Sequence, residues 1–228
     1  MSDATAPPLG PTDAAATYCT AQAAGFCEDF DRSPVLSPNW VPYKKSGATT
    51  RIAVGKTALS KPYGLDFEGV GDDYGGAYVA VLPNPPAASF TFDLLLEDAL
   101  GTWFVELDWD EGLDRKHGVR LLMGPSSGTM VEFDGTHDNP TPTQSVPVPF
   151  PSTPGWHHVV VDIDWVATPA LATLRIDESP ITSVPLKAAY VAGGTCFVQL
   201  GAFQFGSASD VRVHRLTFDN VTATMLPQ

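Results

Sequence analysis

Carboxylates at two-residue spacing are the first feature of this chain that could do chemistry. Residues 102–112 read TWFVELDWDEG. An extended chain sends successive side chains to opposite faces. Phe104, Glu106, Asp108 and Asp110 therefore share one face, and Trp103, Val105, Leu107 and Trp109 share the other. Glu111 follows directly. A retaining glycoside hydrolase needs two carboxyls about 5–5.5 Å apart. Glu106, Asp108 and Glu111 are the candidates for such a set. The plainer reading is the acidic, solvated face of an ordinary alternating strand, and that reading is favoured here.

The next two apolar-alternating segments extend the same surface. If Val119, Leu121, Val131 and Phe133 face the core, then Arg120, Leu122, Met130, Glu132 and Asp134 face away. Carboxylates, a guanidinium and apolar groups on one surface suit a sugar, which needs fixed donors, acceptors and apolar ring contacts. Two loops add polar groups. GVGDDYGGAY (69–78) carries Asp72, Asp73 and Tyr74, and GTHDNPTP (135–142) carries His137, Asp138 and Asn139. Either could offer oxygens to calcium or to sugar hydroxyls. Neither matches an EF-hand loop, and each also reads as an ordinary turn.

Other chemistries find no support. His157 and His158 are adjacent and fall on opposite sides of a strand, and His117, His137 and His214 lack ligand-spaced partners. No glycine-rich phosphate loop or nucleophile elbow is present. Lysine and arginine number 13 against 26 aspartates and glutamates, a net charge of −13. That balance opposes phosphate backbones and anionic membranes, so nucleic acid is not an expected partner. No apolar run approaches the roughly 18–20 residues that span a bilayer.

The elements that must position these residues are strands. Apolar residues recur at period two from Cys19 onward, giving fourteen candidate strands between Phe26–Asp31 and Val211–Thr222. Glycine, at 20 residues, and proline, at 21, fall mostly between them as turn punctuation. The best helical candidate, Leu96–Leu100, amounts to a single turn. So many short strands predict an all-β, two-sheet antiparallel sandwich or jelly roll. Residues 1–17 are rich in Pro and Ala, with no apolar face, and read as a flexible leader or tether; residues 18–228 read as one domain. Cys19 and Cys27 bracket a small-residue segment whose closure by a disulfide would contribute about 2–3 kcal/mol. The alternative is three reduced thiols in a cytosolic protein. Cys196 lies in an apolar strand and reads as a buried thiol.

Four segments carry a resemblance: FCEDFDR (26–32), KPYGLDFEG (61–69), the hairpin GWHHVVVDIDW…LATLRIDE (155–178), and VRVHRLTFDNVTA (211–223). In this order they resemble the concanavalin A-like lectin/glucanase superfamily, and within it the laminin G-like jelly rolls of bacterial secreted or surface lipoproteins. The resemblance implies a jelly roll with its first and last strands side by side. It also implies an extracellular or cell-surface location and a glycan ligand. A structural calcium near the strand join would be held by Asp29 and Asp219. The laminarinase-type hydrolases of the superfamily carry a Glu-x-Asp-x-Glu strand, sometimes bulged. Glu106 would match their nucleophile, Asp108 the tuning acid and Glu111 the acid/base. Here Trp103 and Trp109 lie within the strand itself, whereas that family places its tryptophans on the preceding strand. The expectation is therefore a non-catalytic glycan-binding module. A glycoside hydrolase or lyase and a protein-binding adhesion module are its alternatives.

Overall fold

Period-two alternation of large apolar residues makes a chain bury one side of each extended segment, and two such sheets bury their apolar faces against each other. The computed structural model describes residues 18–21, 25–44, 50–55, 57–60, 63–83, 85–97, 102–110, 115–124, 127–136, 139–149, 153–177, 179, 182–190, 194–204 and 213–226. Its strands are β1 (Phe26–Glu28), β2 (Val41–Lys44), β3 (Arg51–Gly55), β4 (Gly64–Val70), β5 (Gly75–Pro83), β6 (Ala87–Leu96), β7 (Thr102–Asp110), β8 (Arg115–Gly124), β9 (Ser127–Thr136), β10 (Asn139–Val148), β11 (Gly155–Asp164), β12 (Leu171–Ile176), β13 (Thr182–Pro185), β14 (Thr195–Gln204) and β15 (Val213–Met225).

All fourteen expected strands are present. β2 is additional, because Pro42 interrupts the alternation of VPYK. Proline is tolerated there because β2 is an edge strand. One helical turn, α1 (Tyr18–Ala21), was not expected. Leu96 closes β6 instead of opening a helical turn, and 98–100 fall outside the described residues, as does the leader, 1–17.

One sheet runs β13-β12-β11-β6-β15-β4-β3, with β1 also on β15; the other runs β10-β9-β8-β7-β14-β5-β2. Every pairing is antiparallel. This is the expected two-sheet jelly-roll sandwich. β1 lies beside β15, with Phe26 opposite Ala223, so the first and last strands meet. The core lies between the sheets. Phe67, Phe90, Phe92 and Phe218 come from the first, and Val105, Leu107, Trp109, Val119 and Leu121 from the second. Val159, Val161 and Ile163 of β11 are fully buried, so the GWHHVVVDID strand is structural. Cys19 and Cys27 form a disulfide, and Cys196 is a buried free thiol.

Candidate functional site

β7 is the middle strand of its sheet, with β8 on one side and β14 on the other. Its core-facing residues are Trp103, Val105, Leu107 and Trp109. Glu106, Asp108 and Asp110 consequently project from the opposite, outer face. Register then decides what meets them. Across β8, Arg120 stands opposite Glu106, Gly118 opposite Asp108 and Lys116 opposite Asp110. Across β14, Gln199 stands opposite Glu106 and Phe197 opposite Asp108.

These side chains form one connected network. Lys116 Nζ donates to Glu106 Oε1 at 2.8 Å and lies 2.8 Å from Asp108 Oδ2. Gln199 Nε2 also bridges the two acids, donating to Glu106 Oε1 at 3.1 Å and to Asp108 Oδ2. Arg120 pairs with Glu106 Oε2 through Nε and Nη2. Tyr43 Oη donates to Gln199 Oε1 at 3.3 Å and so fixes which way the amide points. Phe133 lies under both cations, 5.5 Å from Lys116 and 5.6 Å from Arg120. Gly118 makes this packing possible: a Cβ there would sit 2.1 Å from the Leu107 carbonyl and 2.8 Å from the Phe133 ring.

Glu106 and Asp108 are each only 2% exposed. Burial pushes both carboxyls up. At Glu106 this is outweighed by Arg120, by a proton-bearing Asp108 and by Lys116, which together hold it below the usual range. At Asp108, burial and the adjacent Glu106 charge prevail over Lys116 and drive it well above the usual range. The pair thus keeps charge on Glu106 and a proton on Asp108, the separation expected of two close buried carboxyls. Burial would discharge Lys116, but Asp108 and Glu106 keep it protonated.

Beside this network opens a groove of about 490 Å³. Its walls are Tyr43, Tyr78 and Phe197, and its polar lining comes from Asp108, Asp110, Lys116 and Gln199. The rings form a continuous run: Tyr74 to Tyr43 is 6.4 Å, Tyr43 to Tyr78 is 6.2 Å and Tyr78 to Phe197 is 6.2 Å.

Of the residues expected from sequence, the structure gathers Glu106, Asp108 and Arg120, and brings Tyr74 to the end of the aromatic run. Glu132 and Asp134 were expected on this face and are not on it. Arg120 pairs with Val131, and Gly118 with Phe133, so β9 turns Val131 and Phe133 to the outer side. Glu132 lies on the other side, opposite Val119, where its Oε1 accepts from the amides of Lys187 at 2.7 Å and Ala188 at 2.6 Å. Asp134 is held by Arg115 at 3.0 and 3.2 Å. The expectation failed because Phe133 is buried against cations rather than in the core between the sheets.

Asp72 is exposed and Asp73 closes a turn onto the Val70 carbonyl, both in the β4–β5 connection. Asn139 opens β10, an edge strand, opposite Thr136. Glu111, His137 and Asp138 lie outside the described residues. Asp29 and Asp219 each spend their oxygens on amides. Asp29 accepts from the amides of Cys19 and Asp31, and Asp219 from those of Leu59, Ser60 and Asn220 and from the Ser60 hydroxyl. Among the described residues no three His, Cys, Asp or Glu side chains converge as a metal set.

Sequence reading missed Tyr43, Tyr78, Lys116, Phe197 and Gln199, and named Asp110 only as part of a face. One signal was present. In CFVQLGA the core takes Cys196, Val198, Leu200 and Ala202, which leaves Phe197 and Gln199 facing out beside β7.

The two-sheet architecture places the chain by its fold: it has the jelly-roll fold seen in lectin-type and glucanase structures of the concanavalin A-like kind. It is similar to Rv0315 of Mycobacterium tuberculosis, described as an immunostimulatory antigen and pseudo beta-1,3-glucanase, with TM-score 0.62 at 14% identity over 89% of this chain and 98% of that one. A glycoside hydrolase family 16 endo-glucanase from Bacteroides ovatus superposes with TM-score 0.60 at 12% identity, over 87% and 99% of the two chains. The carbohydrate recognition domain of Emp47p gives 0.52 at 12% identity, over 86% and 95%. No family model and no curated protein matches the sequence.

Proposed function

We propose that this protein is an extracellular or surface-attached glycan-binding module, and that it binds sugar in the Tyr43–Tyr78–Phe197 groove without cleaving it. The observation that carries the reading is the state of Glu106. A glycosidic nucleophile must reach the anomeric carbon, yet Glu106 is 2% exposed and its oxygens are taken by Lys116, Arg120 and Gln199. The acids act as a rigid, internally neutralised floor, and the aromatic walls offer the apolar faces on which pyranose rings stack. Lectin-type and glucanase neighbours share the fold, which supports a sugar ligand in general terms. The Cys19–Cys27 disulfide supports an oxidising compartment. The reading needs no cation, since Asp29 and Asp219 are satisfied by amides; EDTA is expected to leave sugar binding unchanged.

The hydrolase alternative retains one specific support: Glu106, Asp108 and Asp110 are aligned at two-residue spacing on the central strand of the grooved sheet. A glycan array together with a reducing-sugar assay on β-glucans separates the two. Binding without turnover is expected. Turnover that disappears in Glu106→Gln would establish the hydrolase instead.

A further inference from the structure

We propose that Lys116 and Asp108 condense into an amide that ties β8 to β7, with Glu106 carrying the protons. The bond is a self-catalysed modification of this chain, and it does not depend on the glycan-binding reading above.

The reacting groups are already in contact. Lys116 Nζ lies 2.8 Å from Asp108 Oδ2, and Cγ is one bond beyond that oxygen, near the reacting distance of about 3–3.5 Å. Glu106 Oε1 accepts from the same nitrogen at 2.8 Å. Register fixes this meeting. Lys116 stands opposite Asp110, the next residue along the face from Asp108, and Gly118 opposite Asp108 brings no side chain between them. Arg120 and Gln199 hold Glu106 and Asp108 in position. Contact held in this way replaces the chance encounter of a free amine with a free acid.

Burial favours the product. Lys116 is 8% exposed and the two acids 2% each, and the Phe133 ring lies 5.5 Å from the ammonium. Separated charges are costly in so dry a place, and an amide carries none. The proton held on Asp108 makes it a carboxylic acid, which accepts a nucleophile at carbon where a carboxylate repels one. Lys116 rests as an ammonium. Its reactive form is the one in which a proton has crossed the hydrogen bond to Glu106 Oε1. That form is a minority, but the reaction has to occur only once in each molecule.

The step balances without an oxidant or cofactor. Nζ attacks Cγ, the N–C bond forms and the Cγ–Oδ2 bond breaks. Of the three ammonium protons, one stays on the amide nitrogen. A second passes through Glu106 to the departing Oδ2 hydroxyl, which leaves as water into the groove that Lys116 and Asp108 line. The third passes through Glu106 to solvent, and Glu106 is again the carboxylate partner of Arg120. Oδ1, buried without a hydrogen-bond partner, becomes the amide oxygen.

The test is intact mass spectrometry of the whole chain, freshly purified and after prolonged incubation of the folded protein at neutral pH. The expected mass is one water below that of the sequence carrying the Cys19–Cys27 disulfide. Trypsin should then fail to cut after Lys116, and residues 116–120 should be recovered joined to the peptide that ends at Arg115 and holds Asp108. Glu106→Gln should keep the full mass throughout, with thermal melting showing that it folds. A full-mass wild type in which trypsin cuts after Lys116 overturns the bond. So does a water loss that maps to Asp134–Gly135, whose cyclisation would give the same mass. Condensation of Glu106→Gln at the wild-type rate overturns the role of Glu106. The wild-type measurement needs no variant, and each of these results leaves the sugar reading standing.

Discussion

Lys116 Nζ sits 2.8 Å from Glu106 and 2.8 Å from Asp108, a single ammonium bridging two carboxyls that neighbour each other on one face of β7. All three side chains are nearly excluded from water. A buried cation that answers two acids is not replaceable by bulk solvent. Removing it leaves Glu106 and Asp108 facing each other with Arg120 as the remaining cation of the network. Lys116→Met is therefore expected to cost about 3–5 kcal/mol in chemical denaturation. Adding Asp108→Asn should recover part of the loss, because Asp108, the acid for which Lys116 is the bridging cation, is then removed with its partner while Glu106 keeps Arg120. Equal losses in the single and double variants would show that Lys116 acts through packing on Phe133 instead.

The aromatic run makes a separate claim, on binding rather than folding. Tyr43 belongs to the edge strand β2, and Tyr78 and Phe197 are half-buried, so their ring faces are available to a ligand. Tyr43→Ala and Phe197→Ala should each weaken oligosaccharide binding on the order of tenfold. Isothermal titration reads the affinity, and thermal melting checks that the fold is kept. Unchanged affinity in both variants would place the sugar elsewhere.

The fold was legible because its signal is local. The two faces of β7, Thr102–Asp110, were read correctly from residues 102–112, since alternation of Trp103, Val105, Leu107 and Trp109 needs no knowledge of neighbours. The site was legible only in part because it depends on register. Lys116 follows Arg115 in the sequence, and nothing in that local pair of cations marks either as buried. Lys116 is buried because β8 passes antiparallel to β7 and Gly118 leaves room beside it. Glu132 looked outward for the same reason in reverse. Its partners, the amides of Lys187 and Ala188, are more than fifty residues away in the chain. Tyr43 was hidden by Pro42.

Gly118 gives a packing prediction. A methyl group there would meet the backbone oxygen of Leu107 at 2.1 Å, and backbone cannot rotate aside as a side chain can. Gly118→Ala must part β7 from β8 or displace Phe133. A loss of about 1–3 kcal/mol is expected, with weaker oligosaccharide binding as Lys116 and Asp108 shift. Wild-type stability would mean that the two strands pack less closely than the structure places them.

The last prediction concerns pH and the opposite sheet. Asp219 is fully buried, and burial raises its carboxyl to about 7 despite hydrogen bonds from Ser60, Asn220 and Leu59. In the unfolded chain an aspartate titrates near 4. The folded state therefore binds this proton more tightly. The contribution to stability is full below about pH 4 and is lost as pH rises to about 7. His158 pairs with Asp93 at 2.7 Å, and that hydrogen bond raises the imidazole above its ordinary value. Its contribution is also present at low pH, complete below about 6.5, and lost as pH rises through the raised value. The two windows follow one another. Unfolding free energies of wild type and Asp219→Asn, compared at each pH, should show the wild type losing ground between about pH 4 and 7 and a constant difference beyond. The same comparison with His158→Gln should change only from about pH 6.5 upward. A pH-independent difference for Asp219→Asn would mean that its amide donors outweigh burial and that Asp219 stays ionised throughout.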